Sequence, residues 1–115
     1  MARTVLAVDD DPQVLELIAE MLEEIGCDVV TARTGMEALE KIGAQHFDIL
    51  ITDINMPGLG GYEVAERANR LRPDLHIILL SGKEADGRGL PLLRKPFLQS
   101  DLARVMSETS GSVSK

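Results

Sequence analysis

The chain has 115 residues, enough for one domain that buries roughly two thirds of its unfolded surface around a single core. Its 19 acidic and 12 basic residues give a formal net charge of −7 with no Lys/Arg run, which argues against nucleic acid or an anionic membrane as the surface this domain binds. Cys27 is the only cysteine, so an internal disulfide, a metal finger and a redox pair are excluded; no apolar run nears the ~20 residues of a membrane span and no signal-peptide pattern precedes Thr4, so a reduced, cytoplasmic setting is expected.

Thr4 to Val8 (TVLAV) reads as a short central strand that runs straight into Asp9, Asp10 and Asp11. Asp11 before Pro12 has the chemistry of a helix N-cap and first turn; Asp9 and Asp10 have no such role. Val14, Ile18, Met21, Leu22 and Ile25 recur at helical spacing opposite Glu16, Glu20, Glu23 and Glu24, and Gly26 closes that helix. A second strand covers Cys27 to Thr31, with Cys27 a small buried side chain. Thr34 and Glu37 form a capping-box pair. Behind them Met36, Leu39 and Ile42 supply the stripe of a second helix ending at Gly43.

The stretch Phe47 to Gly61 (FDILITDINMPGLGG) combines a third apolar strand, Asp53 at its end, and a Pro- and Gly-rich loop. An ionised carboxylate at the edge of a low-dielectric core is costly unless something charged partners it. Met56, Pro57, Gly58, Gly60 and Gly61 shape the loop. A third helix spans Tyr62 to Arg72, with Val64, Ala65, Ala68 and Leu71 on its buried side and Pro73 as its stop. Leu75 to Leu80 is a fourth buried strand ending in Ser81. Only 13 residues separate Ser81 from Lys95, and they must hold both a crossover and a last strand near Pro91 to Arg94. A parallel crossover usually needs a dozen by itself, so the fourth helix is expected to shrink to a turn or loop. Leu98, Leu102, Val105 and Met106 mark a final helix, and residues 109–115 form a tail or linker after a domain over 1–108.

Five alternations of strand and helix imply a doubly wound parallel sheet covered on both faces, and five strands suit the flavodoxin-like order 2-1-3-4-5. In that order Asp9 and Asp10 end beside Asp53. Three clustered carboxylates are tolerable with a cation among them or with raised pKa values, and an all-oxygen set with room for water suits Mg²⁺. Ser81 and Lys95, at the ends of strands 4 and 5, face the same crevice and offer a hydroxyl and an ammonium to a phosphoryl group. Asp53 can then act as the nucleophile. His46 and His76 sit near strand starts, away from this edge. Lys83 is read as a solvated loop residue, with added charge near the site as the functional alternative.

LAVDDDP (6 to 12), DILITDINMPGLGGYEV (48 to 64), IILLSG (77 to 82) and RKPF (94 to 97) resemble, in order, the motifs of the receiver domain of two-component response regulators. The resemblance implies a phosphoacceptor domain, not a turnover enzyme: Asp53 takes a phosphoryl group from a partner histidine kinase or histidine phosphotransfer protein. It further implies that Asp9, Asp10, Asp53 and the main-chain carbonyl of Asn55 hold Mg²⁺, that Ser81 and Lys95 contact the phosphoryl group, and that the Lys95–Pro96 bond is cis. Receivers commonly carry Tyr or Phe where this chain has Leu92, which leaves a pseudo-receiver used only for protein docking as the competing reading. An aspartate phosphatase would want an acid where Asn55 stands. A flavin site would place phosphate against three aspartates.

Overall fold

Side chains alternate across a parallel sheet, and that alternation splits the core into two layers. The structure, a computed structural model, describes residues 2–82 and 86–113, with side chains described to residue 108. In chain order the elements are β1 (Thr4–Val8), α1 (Pro12–Ile25), β2 (Asp28–Ala32), α2 (Gly35–Ala44), β3 (Ile49–Asp53), α3 (Gly61–Leu71), β4 (His76–Ser81), β5 (Leu92–Arg94) and α4 (Gln99–Val113). The strands form one sheet in the order β2-β1-β3-β4-β5, every pair parallel. This is the flavodoxin-like arrangement expected from the alternation.

On one face Leu6, Val8, Leu50, Ile77 and Leu79 pack under Ala38 and Ile42 of α2 and Val64, Ala65 and Ala68 of α3. On the other, Val5, Ala7, Ile49, Ile51, Ile78 and Leu80 meet Leu15, Ile18 and Leu22 of α1 and Leu102, Val105 and Met106 of α4. Central strands buried on both sides explain why β1, β3 and β4 read as continuous apolar runs. Cys27 is buried in the second layer, and burial pushes its thiol pKa up.

The helix ends follow local chemistry. Asp11 caps α1 by accepting from the backbone N–H groups of Gln13 and Val14, and Gly26 ends it in the left-handed region at φ 106°, where a side chain would be strained. Thr34 Oγ1 accepts from Glu37 N at 3.0 Å. The return bond of the box goes one residue further back, from Arg33 N to Glu37 Oε1 at 2.9 Å, which holds the Glu37 carboxyl below its ordinary pKa.

Several apolar positions depart from the helical stripes read in the sequence. Met36, Leu71 and Leu98 are 59%, 51% and 69% exposed, because the first and third sit where their helices begin and Leu71 is the last residue of α3. Leu15 is buried instead. Gly43 does not end α2, which continues to Ala44 and is capped at Gln45. α4 continues as backbone helix to Val113, so the segment read as a tail begins as an extension of that helix; Ser114 and Lys115 lie outside the described residues.

Among the described residues no helix joins β4 to β5. Arg88 and Gly89 both hold positive φ, 53° and 86°, and Leu90 N donates to Gly87 O across the turn at 2.9 Å. Two consecutive left-handed residues cannot lie inside a right-handed helix, which accounts for the reduced fourth crossover. Lys83 falls outside the described residues.

Candidate functional site

All five strands point the same way, so their carboxyl ends share one edge. Val8 of β1 pairs with Thr52 of β3, which brings the two strand ends level; α1 then leaves toward one face of the sheet and α3 lies on the other, opening a crevice at this switch point. Asp9 and Asp10 follow β1 into the crevice and Asp53 closes β3. Each of the three offers a carboxylate oxygen, and these atoms lie within 4.8 Å of one another. Asp9 is 1% and Asp53 5% exposed, whereas Asp10 is open to solvent.

Lys95 reaches this group from β5. Ser81 and Arg94 pair at the end of β4 and β5, and the Lys95 N–H donates to the Ser81 carbonyl at 2.7 Å, which fixes where the lysine side chain starts. Its Nζ lies 2.8 Å from Asp9 Oδ2 and 3.4 Å from Asp53 Oδ1. The other oxygen of Asp9 accepts from Asp11 N at 3.0 Å, so that carboxylate is held at both ends. The Lys95–Pro96 peptide is cis. Ser81 is wholly buried at the same edge.

Burial pushes the Asp53 carboxyl above its ordinary pKa; the Lys95 charge opposes this, while Asp9 and Asp10 add to it. For Lys95, burial alone would favour the neutral amine, but its hydrogen bond to Asp9 and the charges of Asp53 and Asp9 outweigh that and raise its pKa. One ammonium thus faces three acids. The donor set is all oxygen, partly open to water through Asp10 and short of positive charge, which fits a hard dication such as Mg²⁺.

The sequence-derived set Asp9, Asp10, Asp53, Ser81 and Lys95 therefore converges on one edge, and Asn55 lies exposed on the loop leaving Asp53. His46 precedes β3 and His76 begins β4, at the opposite edge. Two contributors escaped the sequence reading. Thr52 Oγ1 donates to the Asp53 carbonyl at 3.1 Å, and Gly61 packs directly on the Asp53 and Ile54 backbone, where a Cβ would come within 2.7 Å of Ile54 Cα. Gly61 is thus needed for close approach and not for an unusual φ; in this loop only Gly58, at 76°, has a positive one. Nothing local in the sequence separates these two demands.

Residues 5–104 match the family model described as the response regulator receiver domain. The chain belongs to this family. Among curated receivers and their relatives, it is 32% identical over 108 residues to the response regulator receiver protein CpdR of Brucella abortus, an alignment covering 87% of this chain and 90% of CpdR. It is also 38% identical over 74 residues to the sensor protein EvgS of Escherichia coli K12, covering 64% of this chain but only 6% of EvgS. The receiver fold is equally plain in solved structures. A CheY-like receiver domain protein from Methanospirillum hungatei superposes with a TM-score of 0.90 at 29% identity, covering 97% of this chain and 96% of that one. TrrA of Thermotoga maritima, solved in complex with Mg²⁺-BeF, gives 0.85 at 33% identity, covering 93% and 98%. Two-component relatives of this receiver thus include both small regulators and sensor kinases. Among the described residues no helix is long and apolar enough to cross a membrane.

Proposed function

We infer that this receiver accepts a phosphoryl group on Asp53 from a phosphohistidine of a partner histidine kinase or histidine phosphotransfer protein, in a Mg²⁺-dependent phosphorelay. The observation that carries the reading is the placement of Lys95 Nζ within reach of both Asp9 and Asp53, on the crevice edge that also carries Asp10 and Ser81. A carboxylate oxygen of Asp53 attacks phosphorus, the new O–P bond forms as the donor's N–P bond breaks, and the electron pair leaves with the imidazole nitrogen. Asp9, Asp10, Asp53 and the main-chain carbonyl of Asn55 would hold Mg²⁺, which when bound supplies positive charge to the carboxylates and the phosphoryl oxygens. Lys95 supplies a second cation to those oxygens and Ser81 a hydroxyl, the positioning and neutralisation that phosphoryl transfer chiefly requires. The domain is a stoichiometric acceptor in this scheme and works in the cytoplasm, where the kinase's donor domain would lie.

The test uses phosphoramidate, an N–P donor of the same bond type as phosphohistidine, with Mg²⁺ and the intact chain. Mass spectrometry should find one added phosphoryl group, absent from Asp53→Ala and absent when the dication is chelated. No adduct from the wild-type chain would leave the docking-only reading in its place.

A further inference from the structure

The absent fourth crossover helix leaves a gap in one layer of the domain. Where that helix would lie, between α3 and the 86–91 segment, the surface carries a groove of 510 Å³. Its floor is Leu75 and Ile77 at the start of β4, and Ala65 of α3 forms one apolar wall opposite Leu90. A doubly wound sheet ordinarily covers such a floor with a helix of about 10 Å diameter, so the space has the width of one helix.

The two lips differ in charge. Glu63 and Glu66, one turn apart on α3, edge one side, and Arg88 edges the other. The two glutamates pair with Arg67 and Arg70 on their own helix at 3.5 and 3.3 Å, in exposed contacts of the kind that contribute little and exchange readily. Arg88 meets no carboxylate among the described residues; its guanidinium lies 3.7 Å over the Tyr62 ring. That lip is held in place, since Tyr62 OH donates to the Asp86 carbonyl and Arg88 N donates to Asp86 Oδ1 at 2.9 Å.

We propose that this groove docks an amphipathic helix of a partner protein, apolar along one stripe, with Lys or Arg on the flank facing Glu63 and Glu66 and Asp or Glu on the flank facing Arg88. A convex helix completes the layer as the missing crossover would have done. A second copy of this chain offers only another concave surface there. The charge asymmetry sets the direction in which the helix lies, because reversing it would bring like charges together on both lips.

The probe is a synthetic peptide of about four helical turns with Leu at i, i+3, i+4 and i+7, Lys on one flank and Glu on the other, titrated into the isotope-labelled chain. Amide shifts are expected over Tyr62 to Asn69, at Leu75 to Ile77 and at Leu90, and equally in Asp53→Ala, since docking does not depend on the phosphoryl group. The exposed triple variant Glu63→Lys, Glu66→Lys, Arg88→Glu should bind this peptide about tenfold more weakly and prefer one with its flanks exchanged. No shifts, shifts confined to other faces, or an unaltered preference in the triple variant would overturn the proposal. So would a concentration-dependent dimer that protects the groove residues.

Discussion

The contact between the start of α3 and the end of β3 makes a prediction whose sign is opposite to the usual rule for glycine in helices. Gly61 is the first residue of α3, its N–H donates to Ile54 O at 2.9 Å, and a Cβ built there would lie 2.7 Å from Ile54 Cα and 2.9 Å from the Asp53 carbonyl carbon. Both neighbours are backbone, so no side chain can swing aside. Restoring ordinary contact needs a shift of about 0.7 Å in α3 or in the strand end, and such overpacking typically costs about 1–3 kcal/mol. The gain in helix propensity from Gly to Ala, at most about 1 kcal/mol in a helix interior, is smaller at the first position. Gly61→Ala is therefore expected to destabilise the domain by about 1–2 kcal/mol. Gly43 is the control: it lies inside α2 with nothing within 4 Å of a Cβ, and Gly43→Ala should stabilise by about 0.5–1 kcal/mol. Urea denaturation of the two variants beside the wild type gives both numbers. A Gly61→Ala protein as stable as the wild type, or more so, would refute the close-approach argument. Because the displaced backbone carries Asp53, slower labelling by phosphoramidate should accompany the loss.

The acids give two further expectations. Burial raises the Asp53 pKa, so the native state holds a proton over a pH interval where the unfolded chain has lost it, and stability falls as pH rises through that interval. Asp53→Asn should then melt higher than the wild type at neutral pH without dication, the difference closing on acidification below the ordinary carboxylate range; Mg²⁺ should raise the wild-type midpoint more than the variant's. Asp48 behaves in the opposite sense: its Oδ2 accepts from Thr4 N at 2.8 Å, and that bond holds its carboxyl below the ordinary value. Its contribution is present above the unfolded carboxylate pKa and lost as pH falls through the lowered folded one. Asp48→Ala should cost about 1 kcal/mol at neutral pH, a hydrogen bond to a charged group discounted for its part exposure, and the gap to the wild type in thermal melts should shrink toward low pH. A gap that is constant with pH would mean that the Asp48 charge is not what holds the strand start.

The strands, their order and the acidic edge were legible because each rests on information carried within a few residues. Thr4 to Val8 and Leu75 to Leu80 are apolar on both sides because both sheet faces are covered, Asp11 sits beside the N–H groups it caps, and a chain that alternates strand and helix has few ways to bring its strand ends together. The left-handed turn that ends α1 at Gly26 was local in the same way, as was the shortage of residues between Ser81 and Lys95. What the tertiary structure alone decided depends on atoms distant in sequence. Met36, Leu71 and Leu98 fit helical stripes yet face water, since a stripe says nothing about where the neighbouring layer stops. Lys95 could have paired with any of three acids, and the pairing of β4 with β5 places it nearest Asp9. The glycine at 61 is required by a backbone that packs across it, and the groove beside Tyr62 exists because a short crossover leaves the sheet uncovered. Local chemistry specified the elements and the reactive edge; the fit between elements, which no short window of sequence contains, specified the distances and the open surface.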